Sequence, residues 1–158
     1  MTRLSISLVI ALISLSIHAN AQDSGALRMV RMSYSSAESN YNAGNYEQAL
    51  QEFKIVVNTV PVSVDSRRYL EMRLDAVLYI IDIYFYKHVN LSQGCEFLNL
   101  YLEDMNAIRR GEVLRAGQRL EYFSKEQEFI ANYVRRCENY QKTDKEMDNF
   151  RRRFEEEF

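Results

Sequence analysis

Helix breakers are almost absent from this chain. Across 158 residues there is one proline, Pro61, and there are five glycines. No Asn-Gly or Asp-Gly pair signals a β-hairpin. The common residues (Glu, Arg, Leu, Ala and Tyr) favour or tolerate helix. An all-α fold is the expectation, since the chain lacks the turn chemistry that a sheet of short strands requires.

The first residues form a separate unit. Arg3 is the only charge before Asp23, and Leu4 to Ile17 is apolar apart from serines. His18-Ala19-Asn20-Ala21 follows, with small residues at the minus-three and minus-one positions of a cleavage site. The pattern predicts a cleavable signal peptide over 1–21, export from the cytoplasm, and Gln22 as the first mature residue. The apolar run of 14 residues falls short of the roughly 20 that span a bilayer. No cysteine stands at the junction, so a lipoprotein is not expected. In a Gram-negative source the compartment is the periplasm. The 137 residues that remain suit one modest core. Losing Arg3 leaves 19 basic against 22 acidic side chains, a net charge of −3 with the signs interspersed. Nucleic acid is a poor partner for such a surface, because phosphates call for a basic face. No later apolar run reaches spanning length, so no membrane insertion is expected after cleavage.

Six helices are predicted, in a helical domain over 22–142 and a short amphipathic helix over 143–158. The first covers about Gly25 to Asn42 and stops at Gly44-Asn45. The second runs from Tyr46 to about Thr59, with Ala49, Leu50, Phe53, Val56 and Val57 at helical spacing, and Pro61 closes it. The third begins near Asp65. Leu70, Leu74, Val77, Leu78, Ile81, Tyr84 and Phe85 form one stripe, while Tyr79, Ile80, Ile83 and Tyr86 fill much of the other side. A helix apolar nearly all round is enclosed by neighbours, which makes this one the core. The fourth starts at Leu91 or Ser92, behind Asn90 as cap, with a stripe of Phe97, Leu98, Tyr101, Leu102 and Met105. A weaker helix from Ala107 to Phe123 is interrupted by Gly111 and Gly117. Ser124-Lys125-Glu126-Gln127 reads as a capping box opening a helix through Phe129, Ile130, Tyr133, Val134 and Cys137. Residues 107–140 either bend at Ser124 or form one rod. Thr143-Asp144-Lys145-Glu146 reads as a second capping box, starting the last helix.

The segment from Ala37 to Pro61 resembles the tetratricopeptide repeat, a pair of antiparallel helices. Gly44-Asn45-Tyr46 matches its turn, Ala49 the small residue of close approach, Phe53 the packed aromatic, and Pro61 the terminal proline. A degenerate second copy over 74–102 places Gly94 where Ala49 stood and Leu98 where Phe53 stood. The resemblance implies antiparallel hairpins stacked as a short right-handed array, with C-terminal capping helices. It also implies a scaffold whose inner surface, lined by the first helix of each pair, holds a segment of another envelope protein. Carried over by position, the inner face consists of Arg31, Tyr34, Glu38 and Tyr41, then Tyr79, Ile83, Tyr86 and Lys87. Tyrosines suit such a face, offering a large apolar ring at low entropy cost with a polar tip. The alternative is that Tyr79, Ile83 and Tyr86 are buried beneath the C-terminal helices.

Catalysis is poorly served. Beyond the signal, His88 is the sole histidine, and no Gly-x-Ser-x-Gly, His-Glu-x-x-His or phosphate-binding loop occurs. No catalytic residue, cofactor or metal ligand is assigned. Asp82 is the one acid within an apolar stretch. It either meets an arginine or a tyrosine hydroxyl, or faces the groove. A glycan-cleaving enzyme would require a second carboxylate across a cleft from it.

Cys95 and Cys137 are an even number in an oxidising compartment, where a bond is the default. It lies within the chain or joins two chains. A straight helix over 107–140 packed on the fourth carries Cys137 about 30 Å past Cys95, and a bend near Ser124 leaves the two at opposite ends. A bond within the chain, which is the favoured reading, therefore requires an irregular turn. In the tail, Phe150, Phe154 and Phe158 fall on one helical side. They either dock on this protein or grip something else, a homodimer partner included.

Overall fold

The computed structural model describes residues 25–111 and 127–157, without the side chains of 127–129, 150 and 153–157. The signal peptide over 1–21, the Ser124 capping box, Gly117, Phe123 and the side chains of Phe150, Phe154 and Phe158 lie outside the described residues. What is described is an all-α array without a strand.

Helix α1 covers 25–42. It ends where Gly44 takes a positive φ of 81°, with Asn45 N–H donating to Asn40 O at 2.8 Å and Gly44 N–H to Tyr41 O at 3.1 Å. This is a Schellman closure, which satisfies carbonyls the helix end leaves open. Helix α2, Tyr46–Thr59, buries the five residues of its predicted stripe. Helix α3, Arg67–Asp82, runs directly into a π-helical turn, Ile83–Lys87. Ile80, Ile81, Ile83, Tyr84 and Phe85 are all buried, so the enclosed section lies at this C-terminal end. Helix α4, Leu91–Arg109, opens with the Asn90 side chain accepting from Gln93 N–H at 3.2 Å, as the cap reading expects. Helix α5 covers Gln127–Glu157.

Packing follows chain order: α2 on α3, α3 on α4, α4 on α5. Glycine is required where α3 meets α4, because a Cβ on Gly94 would stand 2.5 Å from the Phe85 ring. A buried ion pair ties three helices together. Arg73 on α3 donates to Asp104 on α4 at 2.7 Å and 3.3 Å, and also to the carbonyls of Val57 and Val60 at the end of α2. The last turn of α2 has no basic residue of its own. Arg73 supplies the positive charge that the negative end of a helix favours.

Three readings of the helices require correction. Ala107 does not start a helix: α4 continues to Arg109 and ends at Gly111, whose φ of 74° admits glycine easily. That ending also removes the single rod over 107–140. Thr143 is not a cap, since it lies inside α5 and its hydroxyl donates to Asn139 O at 3.0 Å, one turn back. Short polar side chains serve helix starts and helix interiors alike, which is why the motif misled.

Cys95 and Cys137 are bonded within the chain, with Cα atoms 5.6 Å apart. The objection from helix length fails because the helix breaks after Arg109. From Cys95 to Arg109 the rise is about 21 Å, and from Gln127 to Cys137 about 15 Å, so the two arms nearly match. Near the bond, Tyr133 meets Phe85 edge-on at 4.7 Å and the Arg136 guanidinium lies 4.9 Å from the same ring.

Candidate functional site

Helical periodicity places Tyr34, Glu38 and Tyr41 on one side of α1, and Asp75, Leu78, Tyr79 and Asp82 on one side of α3. These seven residues line an open cleft of ≈ 440 Å³ between the two helices. Two rungs cross it. Tyr34 donates to Asp75 at 3.4 Å, and Tyr41 donates to Asp82 at 2.6 Å. Both rungs join residues 41 apart in sequence, so α1 and α3 run parallel in constant register. Along the helices the rungs are about 10 Å apart, seven residues at about 1.5 Å each.

Phe53 of α2 anchors the back of the site. It is fully buried, stacks on Tyr79 at 4.7 Å, and receives Tyr34 edge-on at 6.0 Å. Tyr41 in turn meets Tyr79 at 4.8 Å and Tyr46 at 5.7 Å. The tyrosines are therefore fixed at one ring surface and half-buried, with the cleft at the other. Their hydroxyls hold their protons. Burial pushes Tyr34 up, with Asp75 and Glu38 adding to it. It does the same to Tyr41, helped by the hydrogen bond to Asp82, and to Tyr79, helped by Glu38 and Asp75. The tyrosine hydroxyls accordingly act as donors, as they do toward Asp75 and Asp82.

Four of the eight residues assigned to the inner face meet here: Tyr34, Glu38, Tyr41 and Tyr79. The others do not. Arg31 is exposed and stands two turns before Glu38, short of the cleft, where it borders a shallow surface with Arg28, Met32, Ser35, Ser36 and Ser39. Ile83 is completely buried and offers nothing to a visitor. Tyr86 and Lys87 are exposed on the π turn, where the Tyr86 ring lies 5.9 Å from Tyr133 and 4.9 Å from Arg136. Following α3 toward its C-terminus from Tyr79 led away from the cleft; following it back led into it. Asp75 was missed and Asp82 only flagged, although their spacing of seven with Tyr79 between them was a readable signal.

Asp82 meets a tyrosine hydroxyl, one of the outcomes its setting allowed. Asp75 and Glu38 share its cleft, so the isolation that would end a two-carboxylate hydrolysis is not found. Among the described residues, no three His, Cys, Asp or Glu are grouped closely enough to hold a metal ion. Among them too, no helix is long and apolar enough to cross a membrane. No protein-family model, curated protein or solved structure matches the chain.

Proposed function

We propose that this chain is an exported, non-catalytic adaptor of the tetratricopeptide-repeat type, periplasmic and accessory to a cell-envelope or secretion assembly. It holds a segment of a partner protein in the cleft between α1 and α3. The observation that carries this reading is the convergence of Tyr34, Glu38, Tyr41 and Tyr79 on one open cleft. The parallel register of α1 and α3, the close approach at Gly94 and the burial of Ala49 and Phe53 fit the repeat architecture. Export rests on the pattern over 1–21, and the disulfide suits an oxidising compartment.

The test is capture of envelope proteins by the mature protein and by variants, with melting temperature measured on each. Tyr41→Ala removes capture and Tyr86→Ala, outside the cleft, retains it. Should Tyr41→Ala unfold the protein, Glu38→Lys at the half-buried wall serves instead. Capture unchanged by both cleft variants would refute the proposal.

A second reading has one observation in its favour. Every residue from Gln141 to Asn149 on α5 is exposed, so this stretch of helix packs on nothing among the described residues. A self-associating subunit would use it. Deletion of 143–158 then converts a dimer to a monomer in light scattering, whereas a monomer before and after deletion dismisses this reading.

A further inference from the structure

We infer that the far end of α5 pairs with the same stretch of a second copy, as an antiparallel two-helix coil over about 140–157. This rests on the self-association reading and deepens it by fixing the direction and register of the pair. The α1–α3 cleft takes no part in it. The helix is available because α4 is too short to cover it. From the Cys95–Cys137 bond, α4 reaches its first residue, Leu91, four positions back, and α5 reaches Gln141 four positions on. Past that point every residue to Asn149 is exposed, and the helix still continues to Glu157. From Lys142 to Glu157 it runs about 24 Å beyond the start of α4, at about 1.5 Å per residue.

Tyr140, Thr143, Met147, Phe150 and Phe154 recur at intervals of three and four, the a and d positions of a heptad. Met147 is half exposed, and the Thr143 hydroxyl is already bonded to Asn139 O, so it brings no unmet donor to a seam. The seam does not prolong the face bearing the buried Tyr133 and Cys137, which α5 lays on its own molecule. It is turned from that face by roughly a quarter of a revolution, at 3.6 residues per turn. Charge then selects the partner and the direction. Setting Met147 against Phe150 of a second copy, and Thr143 against Phe154, brings Glu146 beside Arg153 and Asp144 beside Arg151 at the flanking g and e positions. Symmetry repeats both, so every flanking pair is of opposite sign. A slip of one heptad one way sets Arg151 on Arg151 and Arg153 on Arg153; the other way it sets Asp144 on Asp144 and Glu146 on Glu146. A parallel pair keeps only Glu146 beside Arg151, and it places Glu157 on Glu157 in the seam. Within the chain Arg151 has Asp148 at 4.0 Å, an exposed contact worth little, so it remains able to pair outside.

The experiment is sedimentation equilibrium of the disulfide-bonded protein at low salt, over a wide range of concentration, with three variants. Met147→Lys puts a charge in the seam and leaves a monomer. Asp144→Arg faces Arg151 twice in the antiparallel pair and weakens the dimer about tenfold. In a parallel pair position 144 has no charged neighbour across the seam, so the same change does nothing. Adding Arg151→Asp to Asp144→Arg exchanges the two charges. The antiparallel pair recovers its affinity, whereas a parallel pair would lose it, because Glu146 would then meet Asp. Positions 144, 147 and 151 are exposed, so folding is undisturbed, and circular dichroism confirms it for each variant.

A dimer weakened by Asp144→Arg and restored by the exchange supports the antiparallel pair. A dimer indifferent to Asp144→Arg and weakened by the exchange is parallel, which overturns the inference and leaves self-association through α5 standing. A dimer indifferent to all three variants is held elsewhere and overturns it as well. A parent protein that stays monomeric at every concentration overturns both the pair and the self-association reading.

Discussion

Gly94→Ala sets two effects of opposite sign against each other. Alanine is better than glycine inside a helix by about 1 kcal/mol, so propensity alone predicts a more stable protein. Packing predicts the reverse. The new Cβ would lie 2.5 Å and 2.7 Å from two ring carbons of Phe85 and 3.3 Å from Cβ of Tyr84. Carbon pairs settle at about 3.5–4.0 Å, so the ring has to withdraw by about 1 Å. It has little room to do so. Phe85 is 1% exposed, backed by Tyr133 and covered by Arg136. Overpacking of this kind costs about 1–3 kcal/mol, leaving a net destabilisation of about 1–2 kcal/mol. Urea unfolding followed by circular dichroism measures it: the midpoint falls while the slope is unchanged. In a Phe85→Leu background the smaller side chain leaves space, and the same substitution costs less. A Gly94→Ala protein as stable as the parent, or more so, would refute the reasoning.

The other predictions concern the ties around this core. Arg73→Ala leaves Asp104 buried without its partner and uncaps the end of α2, so it destabilises by about 3–5 kcal/mol in the same urea assay. Reducing the Cys95–Cys137 bond, or replacing both cysteines by serine, lowers stability by about 4 kcal/mol for a separation of 42 residues. Non-reducing gels should show the bonded form as a monomer. Tyr34, Tyr41, Tyr79 and Tyr133 have hydroxyls pushed above the usual tyrosine value near 10, by burial first in each case. The folded state then keeps protons that the unfolded state gives up, so the stability they contribute is complete below about pH 10 and falls as pH rises beyond it. Tyrosinate absorbance should therefore rise in two stages, the later one together with loss of the helical signal. A single stage with the helices intact contradicts this.

Much of the architecture was readable because it depends on local chemistry. Gly44-Asn45 closes α1, Asn90 caps α4, and the stripe of α2 is buried residue for residue; each depends on neighbours within one or two turns. The site was only half readable. Period alone groups Tyr34, Glu38 and Tyr41 on one side of α1, but the residues of α3 that face them depend on the register between two helices, which tertiary packing sets. Ile83 went wrong for that reason, since an apolar side chain at helical spacing looks the same whether it faces a groove or a core. Asp75 was passed over because acids were weighed as catalysts and solvated charges rather than as the wall of a cleft. The disulfide geometry depended on where α4 stops. Gly111 marked that point, yet glycines interrupt and end helices alike.

The central claim is that α1 shows a partner the side bearing Glu38 and not the side bearing Met32. A photo-crosslinking amino acid placed at Glu38, and separately at the exposed Met32, tests it in the cells that make the protein. Both positions lie on α1, six residues and about 120° of helix rotation apart, so expression and folding are matched while the faces differ. The account predicts a discrete crosslinked species from position 38 and none from position 32. Crosslinks of equal yield from both positions, or from position 32 alone, would contradict it.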